Sequence, residues 1–310
     1  MVVEHLTLNL PELRKIARAA SRDGMNPPVY LSIIYPISIY IGSRLSLVSA
    51  SLQYLAAITL IPIIFAASTN LIDDYYDWKN EIDTPFSGSG TYRKHPVFAL
   101  GLNPQLLLYW GLLLIAIATA LVVAFSQVFD APYLLLLAPA GAFISYGYTG
   151  PPIGLKYRGL SELTIASSYL VIYYVCLFAI GHVLIETSLL LPLPIGLIFP
   201  LIILSGHLRD IEEDRAAKIK TLEVELGKRG TLIFSYILLA CFLVLSSYIM
   251  FEVRSIAAVG LAIAAEIALV VWLAGTLWHT KSSKIETSIG NLVFALILIY
   301  FSWFLIFFLN

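Results

Sequence analysis

Charged residues are scarce in this chain of 310 residues. Lysine, arginine, aspartate and glutamate together make up 13% of it, against about 25% in typical soluble domains. Hydrophobic residues make up 59%, and the mean hydropathy is +0.86. This composition excludes an ordinary soluble domain and is typical of a membrane protein. The net charge of −1 gives no support to a nucleic-acid partner, which would need a basic surface.

Two further features are scarce in this sequence: cysteine residues, and the pattern of a secretory signal near the N-terminus. Cys176 and Cys241 are the only two cysteines, and both fall inside apolar stretches. This placement disfavours a disulfide framework or a cysteine metal site, and we expect both side chains to serve packing. Residues 1–27 lack the leading apolar core of a secretory signal.

Long apolar runs are abundant. A run of about 20 apolar residues spans the hydrocarbon core of a bilayer, and nine such runs occur in the sequence. They lie at 28–47, 53–73, 104–126, 131–148, 161–183, 187–208, 230–250, 255–278 and 287–309. We therefore expect an all-α, polytopic membrane protein with nine transmembrane helices. Residues 1–310 form a single domain in this interpretation, with no obligate protein partner indicated.

The basic residues predict the orientation of these helices. With the N-terminus in the cytoplasm, every lysine and arginine except Arg44 and Arg254 falls on the cytoplasmic side, as the positive-inside rule requires. The C-terminus then lies outside. Within residues 1–27, Leu10, Leu13 and Ile16 recur at helical spacing. This spacing predicts a short amphipathic helix at the inner membrane surface, ahead of the bundle formed by residues 28–310.

Two acidic clusters lie at the cytoplasmic ends of predicted helices. In the first, Asn70, Asp73 and Asp77 are spaced at i, i+3 and i+7, and His207, Asp210 and Asp214 repeat that spacing in the second. On a helix these offsets share one face. Carboxylates at a membrane boundary are costly unless they are paired or bind metal, and hard cations such as Mg²⁺ prefer oxygen ligands. The clusters therefore predict a site for a metal-bridged diphosphate.

Other residues near the clusters have several interpretations. His207 is a candidate metal ligand, a candidate general base, or a hydrogen-bonding group at a helix end. The segment from Tyr148 to Gly159 contains Gly150-Pro151-Pro152, which predicts an irregular turn. That turn would place Lys156 and Arg158 at the same inner surface, where they either contact phosphate or act as ordinary flanking charges.

Together these motifs identify a resemblance to the UbiA superfamily of intramembrane prenyltransferases. The superfamily motif NDxxDxxxD resembles Asp73-Asp74-x-x-Asp77-x-x-x-Glu81, and its DxxxD motif resembles Asp210-x-x-x-Asp214. The segment Tyr148-Thr149-Gly150-Pro151-Pro152, with Leu155-Lys156, is similar to its Tyr/Lys loop. The resemblance covers nearly the whole chain and implies nine helices around a central cavity.

The resemblance also implies a function and a set of site residues. It implies Mg²⁺-dependent transfer of a polyprenyl group from a polyprenyl diphosphate to an aromatic acceptor, inside the lipid bilayer. The implied metal site comprises Asn70, Asp73, Asp74, Asp77, Glu81, Asp210 and Asp214. The implied diphosphate contacts are Lys156, Arg158, Arg93, Lys94, Arg209 and Tyr148. The implied catalytic residues are Asp74, Asp77, Asp210, Asp214 and His207.

Within the superfamily, the sequence is most similar to the branch that prenylates 1,4-dihydroxy-2-naphthoate for menaquinone. The stretches 70–84, 157–163 and 209–222 carry this similarity. The archaeal ether-lipid branch has an Asn-Arg-Pro-x-Arg-Pro stretch after the first motif, where this chain has Thr84-Pro85-Phe86-Ser87. Asp73, Glu81 and His207 depart from the usual residues and leave a terpene cyclase of the same superfamily as an alternative.

A transporter is the alternative from another functional class. Glu266 and Asn291 lie inside predicted spans and would be candidate residues of a transport pathway. Transporters, however, place their substrate-binding groups near the bilayer midplane, whereas the two acidic clusters gather at one surface. The enzyme is therefore the favoured interpretation.

Overall fold

A computed structural model describes residues 10–22, 52–86, 94–179, 190 and 193–253. Within these ranges the chain is helical and contains no β-strand. The helices are α1 (Leu10–Ala20), α2 (Leu52–Lys79), α3 (Pro104–Val128), α4 (Leu137–Gly147), α5 (Ser161–Ala179), α6 (Leu193–Ile198), α7 (Pro200–Ala216) and α8 (Leu222–Val253). Short 3-10 helices occupy Pro132–Leu136 and Lys156–Arg158.

Six of the nine apolar runs coincide with described helices. The runs at 28–47, 255–278 and 287–309 lie outside the described residues, as do Glu266 and Asn291. Two helices, Pro104–Val128 and Leu222–Ile249, are long and apolar enough to cross a membrane. Both carry exposed apolar side chains, such as Leu113 on α3 and Val244 on α8. Exposed apolar faces of this length are what a lipid environment would cover.

The helices that carry the acidic clusters extend further than the apolar runs predict. Helix α2 continues to Lys79, and α7 continues to Ala216, so both clusters lie on helix, as their i, i+3 and i+7 spacing predicts. Hydropathy marks where apolar side chains stop, which need not be where backbone hydrogen bonding stops. Cys241 is exposed and free on α8, so the prediction that it serves packing was wrong.

Helices α2 and α7 end in the same way. Four residues after the last aspartate of each cluster, Glu81 and Lys218 adopt positive φ angles of 59° and 58°. The next amide then donates to the aspartate carbonyl: Ile82 to Asp77, and Ile219 to Asp214, both at 2.9 Å. This is the bonding pattern of a Schellman cap. The similarity of the two acidic clusters therefore extends to the backbone turns that follow them.

Two apolar clusters hold the described helices together. The larger one joins α2 and α3 to α4, α5, α6, α7 and α8, with Ile61, Phe199 and Phe242 fully buried. The smaller one packs Ile16 and Ala19 of α1 against the end of α2. The sequence predicts a helix within residues 1–27, and the structure confirms it as α1. Because one side of α1 is buried against α2, the helix is held beside the first acidic cluster.

A close approach between α2 and α4 depends on a glycine. A Cβ atom at Gly141 would lie 2.4 Å from Cε2 of the buried Phe65 ring, which is shorter than any ordinary contact. We expect Gly141→Ala to lower the free energy of unfolding by about 1–3 kcal/mol, the usual cost of overpacking. Thermal melting of the purified protein in detergent would measure the effect.

A second substitution distinguishes this clash from a loss of helix flexibility. Phe65→Leu removes the ring that Gly141→Ala strikes, so the double variant should be more stable than the sum of the two single effects predicts. Strictly additive losses in the double variant would contradict the proposed contact.

Candidate active site

The first acidic cluster is buried at the end of α2. The exposed fractions of Asp73, Asp74 and Asp77 are 6%, 0% and 4%. Ionised carboxylates removed from water to this extent cost several kcal/mol each unless cations or hydrogen bonds compensate. The energetics of this part of the fold therefore depend on what neutralises the three groups.

Two cations from distant parts of the sequence provide that compensation. The Arg22 guanidinium places Nη2 2.6 Å from Asp73 Oδ2 and Nη1 3.1 Å from Asp74 Oδ1. The Lys156 ammonium lies 2.9 Å from Asp73 Oδ1 and 2.5 Å from Asp77 Oδ2. Burial alone would lower the pKa of Lys156, but the charges of Asp73 and Asp77 raise that pKa well above its ordinary value. Lys156 is therefore a permanent cation at this site.

The loop between α4 and α5 positions Lys156. The Leu155 and Lys156 amides donate to the carbonyls of Gly147 and Tyr148, at 3.0 and 2.8 Å, which folds the loop back onto the end of α4. Next to Lys156, the Tyr157 hydroxyl donates to Asp77 Oδ1 at 2.9 Å. Asp77 thus accepts bonds from two consecutive residues of one short 3-10 turn.

Helix α1 positions Arg22. Two buried residues of α1, Ile16 and Ala19, pack against α2. The Asn70 amide nitrogen donates to the Ala20 carbonyl at 2.8 Å, so the end of α1 is tied to the helix that carries the carboxylates. Asn70, predicted as a supporting metal ligand, therefore also has a structural contact that the sequence did not reveal.

A fourth acid, Asp83, returns to the cluster after the cap of α2. Its side chain is buried and lies 3.1 Å from Nε2 of the buried His95. Glu81, the predicted last acid of the motif, is exposed and adopts a left-handed backbone beyond the end of the helix. Glu81 was expected here from its place in the superfamily motif, but helix α2 ends two residues before it, at Lys79.

Several predicted diphosphate contacts lie apart from the buried carboxylates. Lys94 and Arg158 are both exposed, and Arg158 Nη2 donates to the Pro152 carbonyl at 2.8 Å. Arg93 lies outside the described residues, and the side chain of Arg209 is not among those described. Lys156 and Tyr148 are the predicted diphosphate contacts that the structure places at the cluster, with Lys156 Nζ 5.9 Å from the centre of the Tyr148 ring.

The second acidic cluster lies on the same side as Lys156. Asp214 is buried, and its Oδ2 atom has no hydrogen-bond partner within the described ranges. Burial raises the pKa of the Asp214 carboxyl to about 6, although the charges of His207 and Lys156 act to lower it. Asp210, one turn earlier, is half-buried. A buried carboxylate oxygen without a partner is a suitable ligand for a cation.

His207 lies between two glutamates. Its Nδ1 atom is 3.2 Å from Glu223 Oε2 and 3.5 Å from Glu162 Oε1. The sequence left its role open among metal ligand, general base and hydrogen-bonding group. In the described structure Nδ1 contacts the carboxylates of these two glutamates. His207 is therefore seen here as a hydrogen-bonding group between Glu162 and Glu223.

Tyrosines surround the first cluster on its apolar side. Tyr75 and Tyr76 are buried with their rings edge to face at 4.9 Å, and the hydroxyls of Tyr76 and Tyr146 are 3.3 Å apart. Tyr148 is also buried. Buried tyrosine rings thus lie on the helix that carries the carboxylates and on the loop that carries Lys156, and ring faces of this kind stabilise a nearby cation.

Comparison with known proteins places the chain in a family. Residues 37–299 match the UbiA prenyltransferase family. The 1,4-dihydroxy-2-naphthoate octaprenyltransferase of Bacillus subtilis is 32% identical over 166 residues, which cover 53% of this chain and 51% of that protein. The UbiA prenyltransferase domain-containing protein 1 of Xenopus tropicalis is 31% identical over 188 residues, covering 59% and 51%. The chain thus spans about half the length of these relatives.

Solved structures show the same fold. A UbiA homolog from Archaeoglobus fulgidus, bound to GPP and Mg²⁺, superposes with a TM-score of 0.64 over 93% of this chain and 98% of that one, at 17% identity. At this level of identity the likeness concerns the fold.

The ion pairs of Lys156 predict that its substitution lowers stability much more than substitution of Arg158. Lys156→Met would leave Asp73 and Asp77 without one of their cations, so we expect a loss of about 3–5 kcal/mol in the free energy of unfolding. Arg158→Met, from the same turn, should change it by less than about 0.5 kcal/mol because Arg158 is exposed. Thermal unfolding in detergent compares the two variants. Equal losses would contradict the assignment of Lys156 as the neutralising cation.

Proposed function

Because the chain belongs to the UbiA prenyltransferase family, we propose that it transfers a polyprenyl group from a polyprenyl diphosphate to an aromatic acceptor. The observation that carries this proposal is the buried group of Asp73, Asp74 and Asp77, held beside Lys156 at the end of an apolar helix. A group of oxygen ligands next to a permanent cation suits a metal-bridged diphosphate.

The residues present fit Mg²⁺. The acids of both clusters offer only oxygen atoms, and Asp214 Oδ2 is buried without a partner. Asp74, Asp77, Asp210 and Asp214 would hold the ions, and our proposal keeps Asn70, Asp73 and Glu81 as supporting ligands. Bound there, Mg²⁺ would neutralise charge on the departing diphosphate. The Archaeoglobus homolog, which shares the fold, was solved with GPP and Mg²⁺.

The chain's own groups contribute electrostatics and shielding. Lys156 and Arg22 carry positive charge in a buried site, where it stabilises developing negative charge on the diphosphate more strongly than in water. Their positions are fixed by ion pairs before substrate binds. Tyr75, Tyr76 and Tyr148 form an apolar wall that would keep water from an allylic cation while their ring faces stabilise it. The aromatic acceptor then attacks that cation.

We propose 1,4-dihydroxy-2-naphthoate or a close analogue as the acceptor. Support comes from the Bacillus octaprenyltransferase, whose name states that substrate, and from the sequence stretches around both acidic clusters. The proposed topology is a single domain of nine transmembrane helices around a central cavity. The N-terminus and the site would be cytoplasmic and the C-terminus outside, as the distribution of basic residues favours.

The proposed metal site predicts that turnover requires the buried aspartates of both clusters. Asp77→Asn and Asp214→Asn each remove a buried ligand, so we expect Mg²⁺-dependent diphosphate release to fall at least about 100-fold, the scale of losing a main electrostatic group. Glu212→Gln is the control, because Glu212 is exposed and pairs only with Arg215 one turn away. Activity retained in both aspartate variants would contradict the metal site.

Dependence on the acceptor separates transfer from cyclisation. The purified protein would be incubated with Mg²⁺ and geranylgeranyl diphosphate, with and without 1,4-dihydroxy-2-naphthoate and other aromatic acceptors, and the lipid products identified by mass. We expect a prenylated acceptor, with diphosphate release that depends on the acceptor. Release at full rate without acceptor, giving a cyclic hydrocarbon or alcohol, would instead identify a terpene cyclase.

A further inference from the structure

Three helices bring a second group of ligating side chains together. Glu162 lies at the start of α5, His207 in α7 and Glu223 at the start of α8. One atom of each, a carboxylate oxygen or an imidazole nitrogen, lies within 4.8 Å of the other two. The acids proposed to bind the diphosphate metals are different residues, so this group requires its own explanation.

This group holds two buried carboxyl groups and a single imidazole. Glu162 and Glu223 have exposed fractions of 6% and 0%. Among the residues that the structure describes, both oxygens of Glu162 and Oε1 of Glu223 are buried without a hydrogen-bond partner, and His207 is the only ion-pair partner of either glutamate. One imidazole can balance the charge of only one carboxylate, and burying a carboxyl group without hydrogen bonds is costly in either protonation state.

We propose that Glu162, His207 and Glu223 bind one divalent transition-metal ion of the Zn²⁺ class. A divalent ion with two carboxylates and a neutral imidazole gives zero net charge. The same ion would bind Oε1 of Glu162, which has no hydrogen-bond partner among the described residues. The three side chains come from three helices, so binding would tie α5, α7 and α8 together.

The distances agree with a tetrahedral ion. Ligands about 2.0–2.1 Å from Zn²⁺ are about 3.3–3.4 Å apart along a tetrahedral edge. His207 Nδ1 lies 3.2 Å from Glu223 Oε2 and 3.5 Å from Glu162 Oε1. Two of the three edges are therefore already close to those of an occupied site, and the third, between the two glutamates, is no longer than 4.8 Å. A water or another group would complete the coordination.

The ligand set distinguishes this ion from Mg²⁺. Imidazole suits zinc and other transition metals, whereas Mg²⁺ prefers carboxylate, carbonyl and water oxygens. His207 therefore favours Zn²⁺ here, whereas the all-oxygen acidic clusters favour Mg²⁺. Because Asp210 and Asp214 follow His207 by one and two helical turns, an ion at His207 would also fix the position of α7 and thus of the second acidic cluster. Its effect on turnover would be indirect.

Metal counting on the full-length protein tests the proposal without any turnover. Protein purified in detergent and stripped with chelator would be loaded with Zn²⁺, freed of excess by gel filtration, and its zinc counted by mass spectrometry. We expect about one zinc per chain, not displaced by excess Mg²⁺. The Glu162→Gln/Glu223→Gln variant should lose at least about 80% of it, because amides are poor ligands for zinc. The control, Asp77→Asn, should retain the zinc because Asp77 belongs to the other site.

A spectroscopic measurement on the unmodified protein covers the case in which the double variant does not fold. Co²⁺ bound through His207 in tetrahedral geometry should give visible absorption bands, and one equivalent of Zn²⁺ should abolish them. The proposal is overturned if the wild-type protein retains no zinc and shows no Co²⁺ bands. It is also overturned if the folded glutamate variant retains as much zinc as the wild type.

Discussion

The described structure depends on the neutralisation of carboxylates buried at the end of an apolar helix. Asp73, Asp74 and Asp77 are nearly inaccessible to water, and their burial is tolerable only because Arg22 and Lys156 contact them directly. Without cations, a charged cluster in such a position would shift its protonation or melt the helix end. The contacts of α1 and of the loop before α5 follow from this requirement.

Each neutralising cation is delivered by its own local structure. Arg22 directly follows α1, whose buried face packs on α2, and Lys156 lies in a turn that hydrogen-bonds back to the end of α4. The ion pairs that Arg22 and Lys156 form with Asp73 span 51 and 83 residues of sequence. Such pairs fix tertiary geometry because the alternative, an unpaired buried charge, is far less stable. The same geometry leaves both cations beside the place proposed for the diphosphate.

Sequence patterns predicted the helices better than the contacts of the site. Apolar runs marked the described helices, and the i, i+3, i+7 spacing placed Asp73 and Asp77 together, because both signals are local. Arg22 was visible only as part of an amphipathic segment, and nothing local pairs it with Asp73. The cap that ends α2 was not expected, because a helix cap leaves no strong signal in the sequence when its left-handed residue is not glycine. That cap places Glu81 beyond the helix and returns Asp83, which was not among the expected site residues, toward the cluster.

The ion pairs also indicate how the site would respond to its substrate. Lys156 and Arg22 occupy the carboxylate oxygens that Mg²⁺ would require, so metal and protein cations compete for the same atoms. A diphosphate that arrives with Mg²⁺ brings a metal cation that can replace Lys156 and Arg22 at the carboxylates. It also brings an anion that Lys156 and Arg22 can then bind. The four acids of the described first cluster, Asp73, Asp74, Asp77 and Asp83, outnumber the cations Arg22 and Lys156, which favours uptake of a further cation. We therefore expect metal and diphosphate to bind cooperatively, since neither alone restores all the broken ion pairs.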